Sequence, residues 1–273
     1  MCVSMAPADF FATTLYAGRL RHPQHGLVHV VGYQNSARNL AEGPNAMVLH
    51  FPARALGRGN FVPVGGAEHV LADMVRALPP LPVSPGAAMD WMDAGGAPPV
   101  EVFDHDVYTV LVAEDATLIP AALDRVPPKR RPRLDPGLLR FYTERYPGHV
   151  FAVCCFDNAE RRQAKPLLVW YAPHDPDLLA APALDSHTGG APDPAARVRT
   201  DHTVLFGTDE AAPGWGSPVH YRDTLGPGLA PFLPRAVVGA RFHGWMPNGD
   251  FAIPHADLLA GDLRAVRRVG PPA

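Results

Sequence analysis

Cysteine and lysine are the scarce residues of this chain. Three cysteines among 273 residues are too few for a disulfide framework, and Cys154 and Cys155 are adjacent in a strand-like run. Neighbours on a strand point to opposite faces, which makes them poor partners for each other. This usage fits a reducing compartment, and a cytoplasmic protein is the expectation. No stretch approaches the ~18 consecutive apolar residues of a membrane span. The first residues lack the charged region and apolar run of a signal peptide. A formal net charge of −3 supplies no basic field, so neither nucleic acid nor a membrane is expected as partner. Lysine is confined to Lys129 and Lys165, the other basic side chains being arginine.

Several catalytic signatures are missing as well. The chain has no G-x-x-x-x-G-K-[ST] phosphate loop, no G-x-S-x-G elbow, no H-E-x-x-H, no C-x-x-C and no G-x-G-x-x-G. Their absence counts against nucleotide-dependent kinases and ATPases, serine hydrolases of the elbow type and the commonest zinc peptidases.

What is present is the composition of a globular protein, 47% hydrophobic and 19% charged, in a chain long enough to bury a substantial core. Proline is abundant, 32 residues, or about 12% against a usual ~5%. Residues 26–34 and 46–51 read as strands, joined by the polar connector Asn35–Asn45 as a hairpin or meander. Val70, Leu71, Met74, Val75 and Leu78 share one face of a helix over 66–78. Residues 78–99 are too rich in Pro and Gly for regular structure and form a long loop or a linker. A strand over 107–113 precedes a helix over 114–125 that Pro120 kinks unless it starts there. Asp135-Pro136 has the cap and first-turn chemistry of a helix running to Tyr146. Strands 149–156 and 166–171 read as an antiparallel pair, 203–206 as a short strand, 236–243 as a last strand and 254–268 as a helix. Strands and helices mix without βαβ alternation. The expected fold is therefore α+β, mainly antiparallel sheet with a few packed helices and long Pro/Gly-rich loops, in a single domain over 1–273.

The segments HVVGYQNSARNLAEGPNAMVLHFPA, DVYTVLVAEDATLIPAALDRV and LLRFYTERYPGHVFAVCCF resemble an uncharacterised bacterial domain family over roughly residues 1–170. Its members similarly open with a cysteine and run through a strand–helix–strand block. The resemblance implies kinship of fold and no particular activity.

The pointed feature is Cys2, directly after Met1. Removal of Met1 would leave a thiol and an α-amine on one residue, the nucleophile and built-in base of N-terminal-nucleophile hydrolases. Asn35 and Asn45, at strand ends, are candidate substrate or oxyanion ligands, as is Asn248 in a turn-forming Asn-Gly pair. A second constellation, Asp185 and His187 followed by Asp201 and His202, offers imidazole and carboxylate from polar loops. With Cys2 it reads as a thiolate held by His187 or His202, with Asp201 fixing the ring. Alternatively, Asp185, His187 and His202 ligate one divalent metal such as zinc or iron and leave a position open for water. The substrate class is a small molecule or a peptide-like amide, and an enzyme without cofactor is the first expectation. A non-catalytic binding domain is the third reading. Asp104, His105 and Asp106 and the basic run Lys129–Arg133 read more plainly as solvated turns.

Overall fold

Period-two alternation decides the architecture of the computed structural model, which describes residues 3–6, 8–39, 43–79, 100–160 and 164–270. Strands β4 (Pro44–Phe51), β6 (Tyr108–Ala113) and β7 (Val150–Asp157) are buried along almost their whole length. A strand covered on both faces must feed two cores. Met47, Leu49, Val110, Val112, Ala152 and Cys154 enter a central core, whereas Ala46, Val48, Leu111, Val153 and Cys155 enter an outer one. The two adjacent cysteines thus point into different cores.

The outer core is closed by helix α2 (Pro136–Arg145) and by a 3-10 segment over Ala116–Arg125 that carries Pro120. Asp135 caps α2, its carboxylate accepting from Gly137 N–H at 2.7 Å, and Pro136 takes the first helical position where no amide hydrogen is needed. With β1 (Val3–Ser4) and β5 (Glu101–His105) the sheet runs β1-β4-β7-β6-β5.

Facing it across the central core lies a second sheet. Its members are β2 (Ala8–His22), β3 (Gly26–Asn39), β8 (Leu167–Tyr171), β10 (Arg197–Thr208), β11 (Ser217–Pro218) and β12 (Ala236–Pro247). They are ordered β11-β12-β10-β2-β3-β8. Leu15, Ala17, Val31 and Tyr33 face the central core, while Tyr16, Leu20, Val28 and Val30 pack beneath helix α1 (Val70–Ala77). A small sheet of β9 (Leu178–Ala181), β13 (Asp250–Pro254) and β14 (Arg267–Val269) closes one side of the central core, in the order β14-β13-β9. Helix α3 (His255–Leu259) follows β13. Among the strand ladders of the described residues only β10–β2 is parallel. The fold is α+β with mainly antiparallel sheet, as the composition and patterning imply.

Three local expectations are corrected. Strands β3 and β4 are not a hairpin: they lie in different sheets, β3 beside β2 and β4 beside β7. Likewise β7 and β8 belong to opposite sheets rather than pairing. Local pattern reports which faces are apolar, but not which sheet receives them. The expected helix over 254–268 is α3 followed by a 3-10 turn and β14; Gly261, at φ +71, sits where the helix stops. Most of the Pro/Gly-rich segment, residues 80–99, lies outside the described residues.

Burial strongly shifts the titration of two histidines in this frame. Burial pushes His29 down to about 4, against the opposing pull of the Pro176 carbonyl beside its Nε2. Burial, followed by the neighbouring His50, pushes His149 down to about 3. Both are neutral in the folded protein and titrate near 6.5 when unfolded. The unfolded chain therefore binds more protons below pH 6.5, and stability falls as pH falls from there toward 4. Lowering the pH from 6.5 to 5.5 is expected to cost about 2 kcal/mol for the pair, measured as a shift of the urea midpoint; an unchanged midpoint would contradict their burial as neutral rings.

Candidate functional site

The turn between β12 and β13, Asn248-Gly249, builds the site. Gly249 adopts φ +158, and a Cβ there would stand 2.4 Å from the Val269 carbonyl oxygen, so only glycine fits. The turn presents Asn248 and Asp250 to one loop. Asn248 Oδ1 accepts from Asp185 N–H at 2.9 Å, while Nδ2 donates to the carbonyls of Asp185 at 2.9 Å and Asp193 at 3.1 Å. Asp250 Oδ1 accepts from the N–H groups of Ala183 at 2.7 Å and Leu184 at 3.0 Å. Its other oxygen faces His50 Nε2 at 3.1 Å, and His50 Nδ1 meets His149 Nδ1 at 3.2 Å. Burial works against the Asp250 carboxylate, but His50 and the two backbone donors outweigh it and hold its pKa below the usual range. Arg268, 2% exposed, lies over the Phe251 ring at 4.4 Å. Burial lowers it to about 10, partly offset by the Asp250 charge, so it remains a cation at neutral pH.

Held in this way, residues 185–188 form one wall of an open cleft of 690 Å³. Asp185 Oδ1 and His187 Nε2 stand 3.1 Å apart, with side chains 8% and 21% exposed. The carboxylate thus stands beside Nε2 rather than Nδ1 of the ring. The Ser186 hydroxyl is committed to the Gly190 carbonyl at 2.9 Å.

The cleft floor is the exposed face of the β10–β12 ribbon. Alternation places Arg197, Arg199 and Asp201 on this face, opposite Pro247, Trp245 and His243. Asp201 is approached by Arg241 Nη2 at 3.1 Å, His243 Nδ1 at 3.6 Å and Ala12 N–H at 3.4 Å. Partial burial raises its pKa less than these neighbours lower it. Trp245 is 65% exposed and Phe11 41%, apolar surface left beside a charged cleft.

The structure brings Asp185, His187, Asp201 and Asn248 to this cleft and places His202, Asn35 and Asn45 away from it. His202 follows Asp201 on β10 and therefore points to the other face, 1% exposed, against Phe251. It joins neither a dyad nor a metal set with Asp185 and His187. Among the described residues no group of three or more His, Cys, Asp or Glu side chains is arranged to hold a metal ion. Asn45 is buried, and its Oδ1 accepts from the N–H groups of Ala6 and Ala46, which makes it an anchor for the first strand rather than a substrate ligand. Asn35, on β3, donates to the Tyr33 hydroxyl and does not line the cleft. Asn248 lines the cleft, with both side-chain polar atoms spent on the loop. Lys129 and Arg130 pair with Glu160, and Asp106 occupies the β5–β6 turn at φ +52. Cys2 lies outside the described residues. Val3, the next residue, is fully buried, forms a parallel bridge with Ser186, and is followed by a hydrogen bond from Ser4 N–H to the Ser186 carbonyl at 3.0 Å.

Residue patterning missed Arg199, His243 and Trp245. The signal was available in RVRTD and RFHGW, where alternation puts every second side chain on one face.

No family model matches the chain, and no curated protein matches it. Among solved structures, the chain is similar to the crystal structure of baculovirus P35, with TM-score 0.44, 10% identity, and coverage of 93% of this chain and 92% of that one. It is also similar to a mutated baculovirus P35 after caspase cleavage, with TM-score 0.36, 9% identity, and coverage of 90% and 91%. The resemblance to a bacterial domain family is overturned by these results: strings of alternating apolar residues recur in unrelated sheets and carry no ancestry by themselves. Among the described residues, no helix is long and apolar enough to cross a membrane.

Proposed function

We propose that the protein binds a peptide-like molecule, free or as part of a protein partner, in the 690 Å³ cleft and attacks one of its carbonyl carbons with the Cys2 thiol. His187 takes the thiol proton and Asp185 orients the imidazole, the division of labour of a nucleophile, base and orienting acid. The observation supporting this most directly is the Val3–Ser186 bridge. One peptide bond, about 3.8 Å between Cα atoms, separates Cys2 from Val3, and Ser186 lies between Asp185 and His187. The arrangement does not call on a free α-amine. In the reaction the sulfur–carbon bond forms as the carbon–nitrogen bond of the amide breaks. The leaving amine receives the proton from His187. Water or a second amine then resolves the thioester.

Iodoacetamide labelling of native protein, read by intact mass, tests the thiol. Cys154 and Cys155 are fully buried, and burial pushes Cys155 up to about 12, so alkylation is expected to stop at one adduct, on Cys2. The Cys2→Ala protein should take none. A native protein that leaves Cys2 unlabelled sinks the reading.

The exposed Trp245 beside the cleft favours a second reading, in which the cleft holds a protein partner without chemistry. A caspase, named with the second similar structure, is the first partner to offer in gel filtration. A complex that forms equally well with Cys2→Ala would favour binding over thiol attack.

A further inference from the structure

The β10–β12 ladder tells which main-chain groups of β10 face the cleft. Asn248 N–H donates to the Ala196 carbonyl at 3.0 Å, in line with the register that pairs Arg197 with Pro247 and Val198 with Met246. Antiparallel pairs alternate between exchanging both hydrogen bonds and exchanging none. Counting from Ala196, the residues bonded to β12 are Val198 and Thr200. The N–H and C=O groups of Arg197, Arg199 and Asp201 therefore point away from β12, toward the place β2 fills further along the strand.

There β2 is missing. Its parallel ladder with β10 begins at the Thr13–His202 pair. Before that point β2 departs through an irregularity between Phe11 and Thr14, with Ala12 at φ +50. Among the described residues no β-bridge reaches residues 197–201 on this side. Because His202 bonds β12, the first parallel pair, Thr13–His202, engages the Asp201 carbonyl and the Thr203 N–H, and Ala12 N–H bonds the Asp201 carboxylate, so the open edge is that of Arg197 and Arg199. The cleft is thus an interrupted sheet: a strand edge on one side, the 185–188 wall on the other.

Resting on the reading of this cleft as a peptide site, we infer that its occupant is an extended peptide with alternating acidic and apolar residues, added to the free edge of β10 as a strand. Unpaired edges accept main-chain partners, and alternate side-chain pockets supply the selectivity. Charge complementarity selects the acidic register. Arg199 is exposed, with no ion pair among the described residues, and Arg197 shares its face. Val198, half-buried, lies on the opposite face and lines the cleft, which suits the intervening apolar residues.

The test uses the full-length Cys2→Ser protein, so that binding is read without thiol chemistry. The probe is a fluorescent hexapeptide of alternating valine and aspartate, with a valine–lysine counterpart. Two N-methylated versions block either the valine or the aspartate amides. The aspartate peptide is expected to bind at least tenfold more tightly than the lysine peptide, and Arg199→Glu to reverse that preference. One N-methylated set should lose at least tenfold and the other little, because only alternate amides face the edge. Equal loss from both sets, no loss from either, equal binding of both charges, or no binding overturns the inference. Cys2 reactivity in the wild type is read separately: lost binding with intact reactivity defeats strand addition alone, and intact binding with an inert Cys2 defeats the thiol reading alone.

Discussion

Asp250→Ala is expected to destabilise the protein by about 3–5 kcal/mol, the scale for removing a buried, hydrogen-bonded charge and leaving its partners behind. The carboxylate is buried, stands 3.1 Å from His50 Nε2 and partly offsets the burial of Arg268, while accepting the N–H groups of Ala183 and Leu184. Alanine leaves those two donors without their acceptor and Arg268 without the charge that most offsets its burial. Asp250→Asn keeps an acceptor oxygen and loses only the charge, so its cost should be smaller. Urea denaturation of the two variants measures the difference. A loss below about 1 kcal/mol for alanine, the scale of an ordinary surface change, would show that the loop is held by something else. Because the same carboxylate fixes the segment leading into Asp185 and His187, the alanine variant should also lose thiol chemistry under conditions where it remains folded.

His187→Gln should lower acyl transfer to Cys2 from a peptide thioester by about 10²–10⁴-fold, the usual contribution of a positioned base. Glutamine keeps polarity and approximate size but has no titratable nitrogen, and His187 stands on a wall loop rather than in a packed core. The variant is therefore expected to fold normally. Asp185→Asn should produce a smaller drop, since it disturbs the orientation of the ring and leaves the base in place. Rates measured by quenched mass spectrometry separate the three proteins. Equal rates for wild type and His187→Gln would remove the histidine from the chemistry.

The fold class was legible because it depends on burial pattern alone. β4, β6 and β7 are continuous apolar runs, and α2 announces its start through Asp135-Pro136. Sheet membership was not legible: β3 and β4 are neighbours in sequence, yet they part into opposite sheets, and that choice depends on what covers each face. For the site, Asp185 and His187 were legible as candidates on one polar loop, but as metal ligands; the carboxylate expected to fix the imidazole was Asp201, which instead stands beside Arg241 and His243. His202 was misread because its neighbour Asp201 carries the same kind of chemistry; one step along a strand reverses the face and sends the ring into the core. Asn45 was misread for a related reason, since a buried amide that satisfies two backbone donors has the same residue type as one that binds substrate. The holding residues Asn248 and Asp250 act through a turn that brings 183–185 against 248–250, a contact between distant segments that local pattern does not encode.

The pH dependence of Cys2 alkylation tests the central claim most directly. A thiol served by the Asp185–His187 pair should titrate well below the ordinary ~8.5 in the wild type and return toward that value in His187→Gln. A wild-type profile centred near ~8.5 and unchanged by the substitution would contradict it.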